Sequence, residues 1–248
     1  MKQSLFAAAL VAAVSAYGSA SIAATIVAPG TSEDSVNKSL TVGSNTQVKN
    51  VETVNGSIQL ENQSTAEEVE TVNGSIQVGE NVSVSTLETV NGSIVTGSGL
   101  KVSGDVETVN GRIEIGGGST VQGSVSTVNG RVTLEQVTVT GDAETVNGGL
   151  QLQGSRIGGN AEMVNGRIEL ADGSIVAGDL IVRKPKGNNW NWGKQPKPPV
   201  VIVGEGSEVR GKLLIENDRT RLFVHENARI GAVEGVQATR YSGAEAPE

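Results

Sequence analysis

The sequence predicts an all-β fold, a single-stranded parallel β-helix or β-solenoid. Three observations carry the prediction: one phrase recurs at a near-constant period, aromatic residues make up only 2% of the chain, and there are 33 glycines and no cysteine. A chain so poor in aromatics cannot fill the thick core of a conventional sandwich. It can fill thin, stacked layers of Val, Ile and Leu. Without disulfides, stability has to come from regular packing.

The recurring phrase is VETVNGSIQL and its variants, and its Asn falls at Asn55, Asn73, Asn91, Asn110, Asn129, Asn147 and Asn165. The steps are 18 or 19 residues, too regular for independent hairpins and too short for leucine-rich repeats carrying helices. One winding of a solenoid fits, and the period sets an expectation of about nine to ten coils. A weaker copy, Val36-Asn37-Lys38-Ser39-Leu40, precedes the first strong one by the same step. Between the phrases lies a second motif, x-V-x-G-[DSN], as in Lys101-Val102-Ser103-Gly104-Asp105 and Thr138-Val139-Thr140-Gly141-Asp142. Each coil therefore reads as three short strands separated by glycine-containing corners. Strict alternation in G-x-I-x-L puts Ile113 and Ile115 inside, with Glu114 outside.

Coils at a rise of about 4.8 Å hydrogen-bond to the windings above and below, so like residues pile into files. The Asn file is expected to be a structural ladder of amides, with each following Gly free to take positive φ at the corner. A Glu file, Glu52, Glu70, Glu88, Glu107, Glu144 and Glu162, is interrupted by Ser126. Like charges at one-coil spacing repel and could invite a divalent cation or a basic partner. Because no coil offers the dense oxygen cluster of a calcium loop, the file is read as a solvated face that discourages sideways aggregation. Arg112, Arg131 and Arg167 stand close enough in sequence to relieve part of that charge. The Thr file from Thr53 to Thr145 is too sparse for an ice-binding array.

Residues 1–23 have the form of an export signal: Lys2, an apolar run from Leu5 to Tyr17, and the small-x-small site Ser21-Ile22-Ala23. The run is too short to serve as a membrane span, and no later window is apolar for long enough. The expected location is the periplasm, the cell surface or the medium, with no lipobox Cys to anchor a lipid. Residues 24–50 are expected to hold an N-terminal cap and a degenerate first coil, and 51–182 the regular repeats. The motif resumes over 200–235, and 236–248, small and acidic, reads as a flexible tail.

The period breaks at 183–199, read as a loop extruded at one corner of a continuous coil. It carries Arg183, Lys184, Lys186, Lys194 and Lys197, no acid, and both tryptophans, Trp190 and Trp192. The rest of the chain is strongly acidic, and the net charge of −8 argues against nonspecific nucleic-acid binding. Exposed Trp beside cations suits a glycan, an anionic envelope component or an acidic protein face. The plainer alternative is a self-packed insertion, since long loops cost little. Glu216 to Arg221 lengthens the next coil at about the same corner, and Glu216 or Asp218 could pair with loop lysines.

The G-D-[VL] corners, x-V-x-G-x linkers and coil length over residues 97–235 resemble bactofilin-type polymer-forming β-helix proteins. The V-E-T-V-N-G-S-I phrase is similar to those of exported adhesin-like β-strand-repeat proteins. The first resemblance implies a right-handed, roughly triangular helix that polymerises end to end, although an export signal departs from the cytoplasmic setting of bactofilins. The expected function is a non-enzymatic cell-envelope scaffold or binding module, with a filament-forming protein as the alternative. Polysaccharide-active enzymes also use β-helices, but the only histidine, His225 beside Glu226, reads as a surface residue, and the Glu file offers no unique acid/base pair. The sequence calls for no cofactor and no metal.

Overall fold

The computed structural model describes residues 25–185 and 197–247. Within them the chain winds as a parallel β-solenoid of about 11 turns, and every strand pairing is parallel. Three files of strands run along the stack. File A takes the V-E-T-V-N segments, such as Val51–Asn55, Glu68–Asn73, Thr86–Asn91 and Val106–Asn110. File B takes the next segment of each phrase, such as Ile58–Leu60, Ile76–Val78 and Ile113–Ile115. File C is a row of two-residue strands from Ser83–Val84 to Arg229–Ile230. In three successive coils files A and B fuse across the Asn-Gly corner, giving Val125–Glu135, Ala143–Gln153 and Ala161–Ala171.

Register follows the repeat residue for residue: Val106 pairs with Leu87 and Val125, and Asn110 with Asn91 and Asn129. The inward files, among them Val51, Val69, Leu87, Val106 and Ile58, Ile76, Ile94, Ile113, are fully buried and form one continuous aliphatic core. Each added coil buries its own aliphatics only against its neighbours, so stability accumulates along the stack. The Thr file points inward. Thr53, Thr71, Thr89, Thr108, Thr127 and Thr145 are buried, and each hydroxyl donates to a corner carbonyl of the coil below, as Thr108 Oγ1 does to Gly92 O at 2.9 Å.

Two corners solve different problems. At the Asn-Gly corner positive φ is not what demands glycine: of the seven glycines following the ladder Asn residues, only Gly166 has one, at 130°. Instead the coils approach so closely that a Cβ on Gly111 would overlap Gly92 O, and one on Gly130 would overlap Gly111 O. The left-handed residues stand at the corner between files B and C, where Asn45, Gln63, Asn81, Gly99, Gly118, Gln136 and Gly154 each have φ between 53° and 72°. Asn and Gly tolerate that conformation best, which explains their recurrence there.

The stack reaches further than the repeated phrase. Thr25–Ile26 pairs with Leu40–Thr41 at one end. At the other, Ala238–Tyr241, within the segment expected to be a flexible tail, forms a strand on Leu222–His225, because the exposed strand edge of the preceding coil offers its backbone groups as partners.

Candidate functional site

The Asn ladder, singled out from the sequence, runs along one edge of the solenoid. Each ladder Asn donates from Nδ2 to Oδ1 of the Asn one coil earlier. The bonds run from Asn55 on Asn37 to Asn165 on Asn147, with distances of 2.8–3.0 Å. The weak first copy of the phrase thus supplies the opening rung. All donors point towards the N-terminal end, so the amide dipoles add, and the acceptor end of the column is Oδ1 of Asn165. The coil after Asn165 is the one that carries the cationic insertion, Arg183 onward.

Beside the ladder, on the outer face of file A, runs the Glu file, in register from Glu52 to Glu107 and again from Glu144 to Glu162. These carboxylates are half-buried to buried, Glu107 and Glu162 being only 8% exposed. Burial first, then Glu88, Glu52 and Glu68, push Glu70 up to about 7. Glu107 is also pushed up to about 7, by burial, Asp105, Glu88 and Glu144 against a hydrogen bond from Ser126. Glu52, Glu88 and Glu144 are raised as well, chiefly by burial, with Asp34, Asp105 and Glu162 respectively adding to it. Glu70 and Glu107 therefore take up protons near neutrality. The arginines expected to neutralise it face elsewhere. Arg112 pairs with Glu114 at 3.2 Å and Arg167 with Glu169 at 3.0 Å, both on file B, because residues two apart on a strand share a face.

One arginine does reach the file. Arg183, the first residue of the insertion, holds Glu162 with two bonds, Nε to Oε1 at 2.9 Å and Nη2 to Oε2 at 3.2 Å. Its Nη1 reaches Glu216 Oε1 at 2.9 Å, and the Lys184 backbone N–H donates to Glu216 Oε2 at 3.1 Å. Glu216 begins the second, shorter excursion, so one guanidinium ties both excursions to the same corner. Charge-assisted, two-pronged bonds of this kind fix geometry as well as energy. Glu216 thus meets the Arg183 guanidinium and the backbone N–H of Lys184. Lys184 and Lys197 are exposed at the two feet of the insertion. Lys186, Trp190, Trp192 and Lys194 lie outside the described residues.

His225 is not a surface residue. It is 4% exposed, its Nδ1 accepts from Asn227 N at 3.1 Å, and its ring meets Tyr241 edge to face with centroids 5.1 Å apart. The strand at 238–241, unforeseen in the sequence, is what covers it. Beyond that strand the chain turns back beside file B, leaving an open cleft of about 1130 Å³ lined by Glu169, Glu205, Arg221, Tyr241 and the tail at Ala244 and Pro247. The Tyr241 hydroxyl is raised by burial and then by Glu169 and Glu205.

Among the described residues, no cluster of three or more His, Cys, Asp or Glu side chains is arranged to hold a metal, and no helix is long and apolar enough to cross a membrane. No family model, curated protein or solved structure matches the chain.

Proposed function

We propose that the protein is a non-enzymatic, exported scaffold or binding module of the cell envelope, a rod that presents the 183–199 segment as its contact surface. The observation that carries this reading is the bracing of one corner: Arg183 links Glu162 of the regular stack to Glu216 of the next excursion. A stiff solenoid beneath a braced foot reduces the ordering entropy lost when a displayed segment binds. The cationic composition of the segment suits a glycan, an anionic envelope component or an acidic protein face. The likeness to exported adhesin-like repeat proteins supports the same role.

The test is cosedimentation of the purified protein with cell-wall material, with vesicles containing anionic lipid, and with acidic protein from an envelope extract, each compared with a variant in which residues 184–198 are replaced by a short Gly-Ser link. Binding to at least one that is lost in the variant supports the reading. Equal binding by both proteins to every target defeats it.

A second reading, assembly into filaments through the coil ends, draws on the last turn, where Ile230, Val233, Val236 and Ala238 are only partly buried against the core. It agrees with the bactofilin resemblance. Electron microscopy over a wide concentration range separates the two, since strictly single particles count against filaments.

A further inference from the structure

The outer face of file A differs from the other two faces. Along it, beside the Glu file, runs an outward file of valines: Val54, Val72, Val90, Val109, Val128 and Val146. They are half-buried except Val128, which is 38% exposed. The matching outward positions of file B are mostly polar, Gln59, Gln77, Glu114, Thr133 and Gln151, and those of file C include Ser83, Lys101, Thr120 and Thr138. A half-buried aliphatic file next to a carboxylate file, in register over six coils and broken in its carboxylates only at Ser126, is a sheet face with a definite chemical pattern.

The chain contains one instance of what such a face accepts. At the C-terminal end of the file the Arg183 guanidinium binds Glu162 through both carboxylate oxygens, and in the next coil Ile181 replaces the Glu. Among the described residues, Glu52, Glu70, Glu88, Glu107 and Glu144 form no salt bridge. The other charged groups facing Glu52, Glu70, Glu88 and Glu107, namely Asp34, Glu68 and Asp105, are also acidic, and only Glu144, beside Asp142, feels the positive charge of Arg183. Charge complementarity thus asks for cations, and the valine file beside it asks for aliphatic side chains at the same time.

We propose that this face docks a basic partner segment in which Arg or Lys alternates with aliphatic residues, the cations meeting the Glu file as Arg183 meets Glu162 and the aliphatics covering the valines. From Glu52 to Glu144 the face measures roughly 24 Å at a rise of about 4.8 Å per coil, the reach of seven or eight extended residues. The inference does not rest on the function proposed above.

The probe is an acetylated, amidated (Arg-Val)4 peptide titrated into the purified protein by calorimetry at low salt. Binding at pH 8 is expected to weaken at least tenfold at pH 5, where Glu70 and Glu107 are protonated. It is expected to weaken at least fivefold for an (Arg-Ser)4 peptide, and at least fivefold in a Glu70→Gln/Glu88→Gln variant. A Glu80→Gln/Glu135→Gln variant, altered at exposed positions off this face, and the variant lacking 184–198 are expected to bind as the parent does. Circular dichroism confirms that each variant keeps its fold. No binding at pH 8, or equal weakening by the off-face variant, overturns the proposal. It also fails if the protein self-associates as the pH falls and the Glu70→Gln/Glu88→Gln variant does so at pH 8, for the face then belongs to a second copy.

Discussion

Asn110 donates from Nδ2 to Oδ1 of Asn91 at 2.9 Å, one coil and 19 residues away, and accepts the same bond from Asn129 at 2.8 Å. A mid-ladder rung therefore serves as donor and acceptor at once. Asn110→Ala is expected to cost about 1 kcal/mol, the usual net value of such bonds. Asn110→Asp is expected to cost more, about 2 kcal/mol, because a carboxylate still accepts from Asn129 but sets oxygen against oxygen at Asn91. Urea unfolding of the two variants checks the order, and equal midpoints would remove any structural weight from the ladder.

The glycines separate into two kinds by mechanism. Gly111→Ala places a Cβ into Gly92 O and is expected to cost about 3 kcal/mol or more, with overpacking between coils as the cause. Gly118 has φ of 72° with open space around its Cα, and Asn occupies the equivalent corner at Asn45 and Asn81. Gly118→Asn is therefore expected to stay within about 0.5 kcal/mol of the parent. Thermal unfolding distinguishes the pair.

The Glu file makes stability depend on pH with a sign opposite to that of most carboxylates. Glu70 and Glu107 are raised from 4.5 to about 7 in the folded protein, so the folded state holds more protons than the unfolded state between those values. Stability from this source is complete below pH 4.5 and is lost as pH rises to about 7. Both groups are partly solvated, so each contributes only on the order of 1 kcal/mol. A higher denaturation midpoint at pH 5 than at pH 8 is expected, with most of the difference removed in Glu70→Gln/Glu107→Gln. A midpoint that climbs steadily from pH 5 to pH 8 would contradict it.

Arg183→Met keeps much of the side-chain volume and removes the guanidinium. It leaves Glu162, whose side chain is 11% exposed, without the Arg183 guanidinium, and removes the guanidinium link between Glu162 and Glu216. A loss of about 1–2 kcal/mol is expected, less than for a fully buried pair because Arg183 is 35% exposed. The more specific readout is limited proteolysis: cleavage between 183 and 199 should quicken several-fold while the regular coils stay intact.

Much of this protein is written locally. The period of the Asn residues gives the coil length, the alternation in each phrase gives the inward files, and the missing T-V-N-G corner after Val182 locates the insertion. These are legible because a solenoid converts sequence period directly into vertical neighbours. The same property made the amide ladder foreseeable from Asn55, Asn73 and Asn91 alone.

What the sequence could not decide depends on distances between coils and on what covers a surface. Whether the Asn-Gly glycine answers to φ or to the approach of Gly92 O is a matter of separation across 18 or 19 residues, and the tertiary structure settles it for close approach. His225 is buried only because Ala238–Tyr241 adds a strand over it, and Glu70 and Glu107 hold protons towards neutrality because burial and acidic neighbours disfavour their charge. That Arg183, out of all the arginines, joins the file follows from the insertion leaving the stack one residue past Val182. Local pattern determines which residues share a file, whereas long-range packing determines how dry, how crowded and how charged that file becomes.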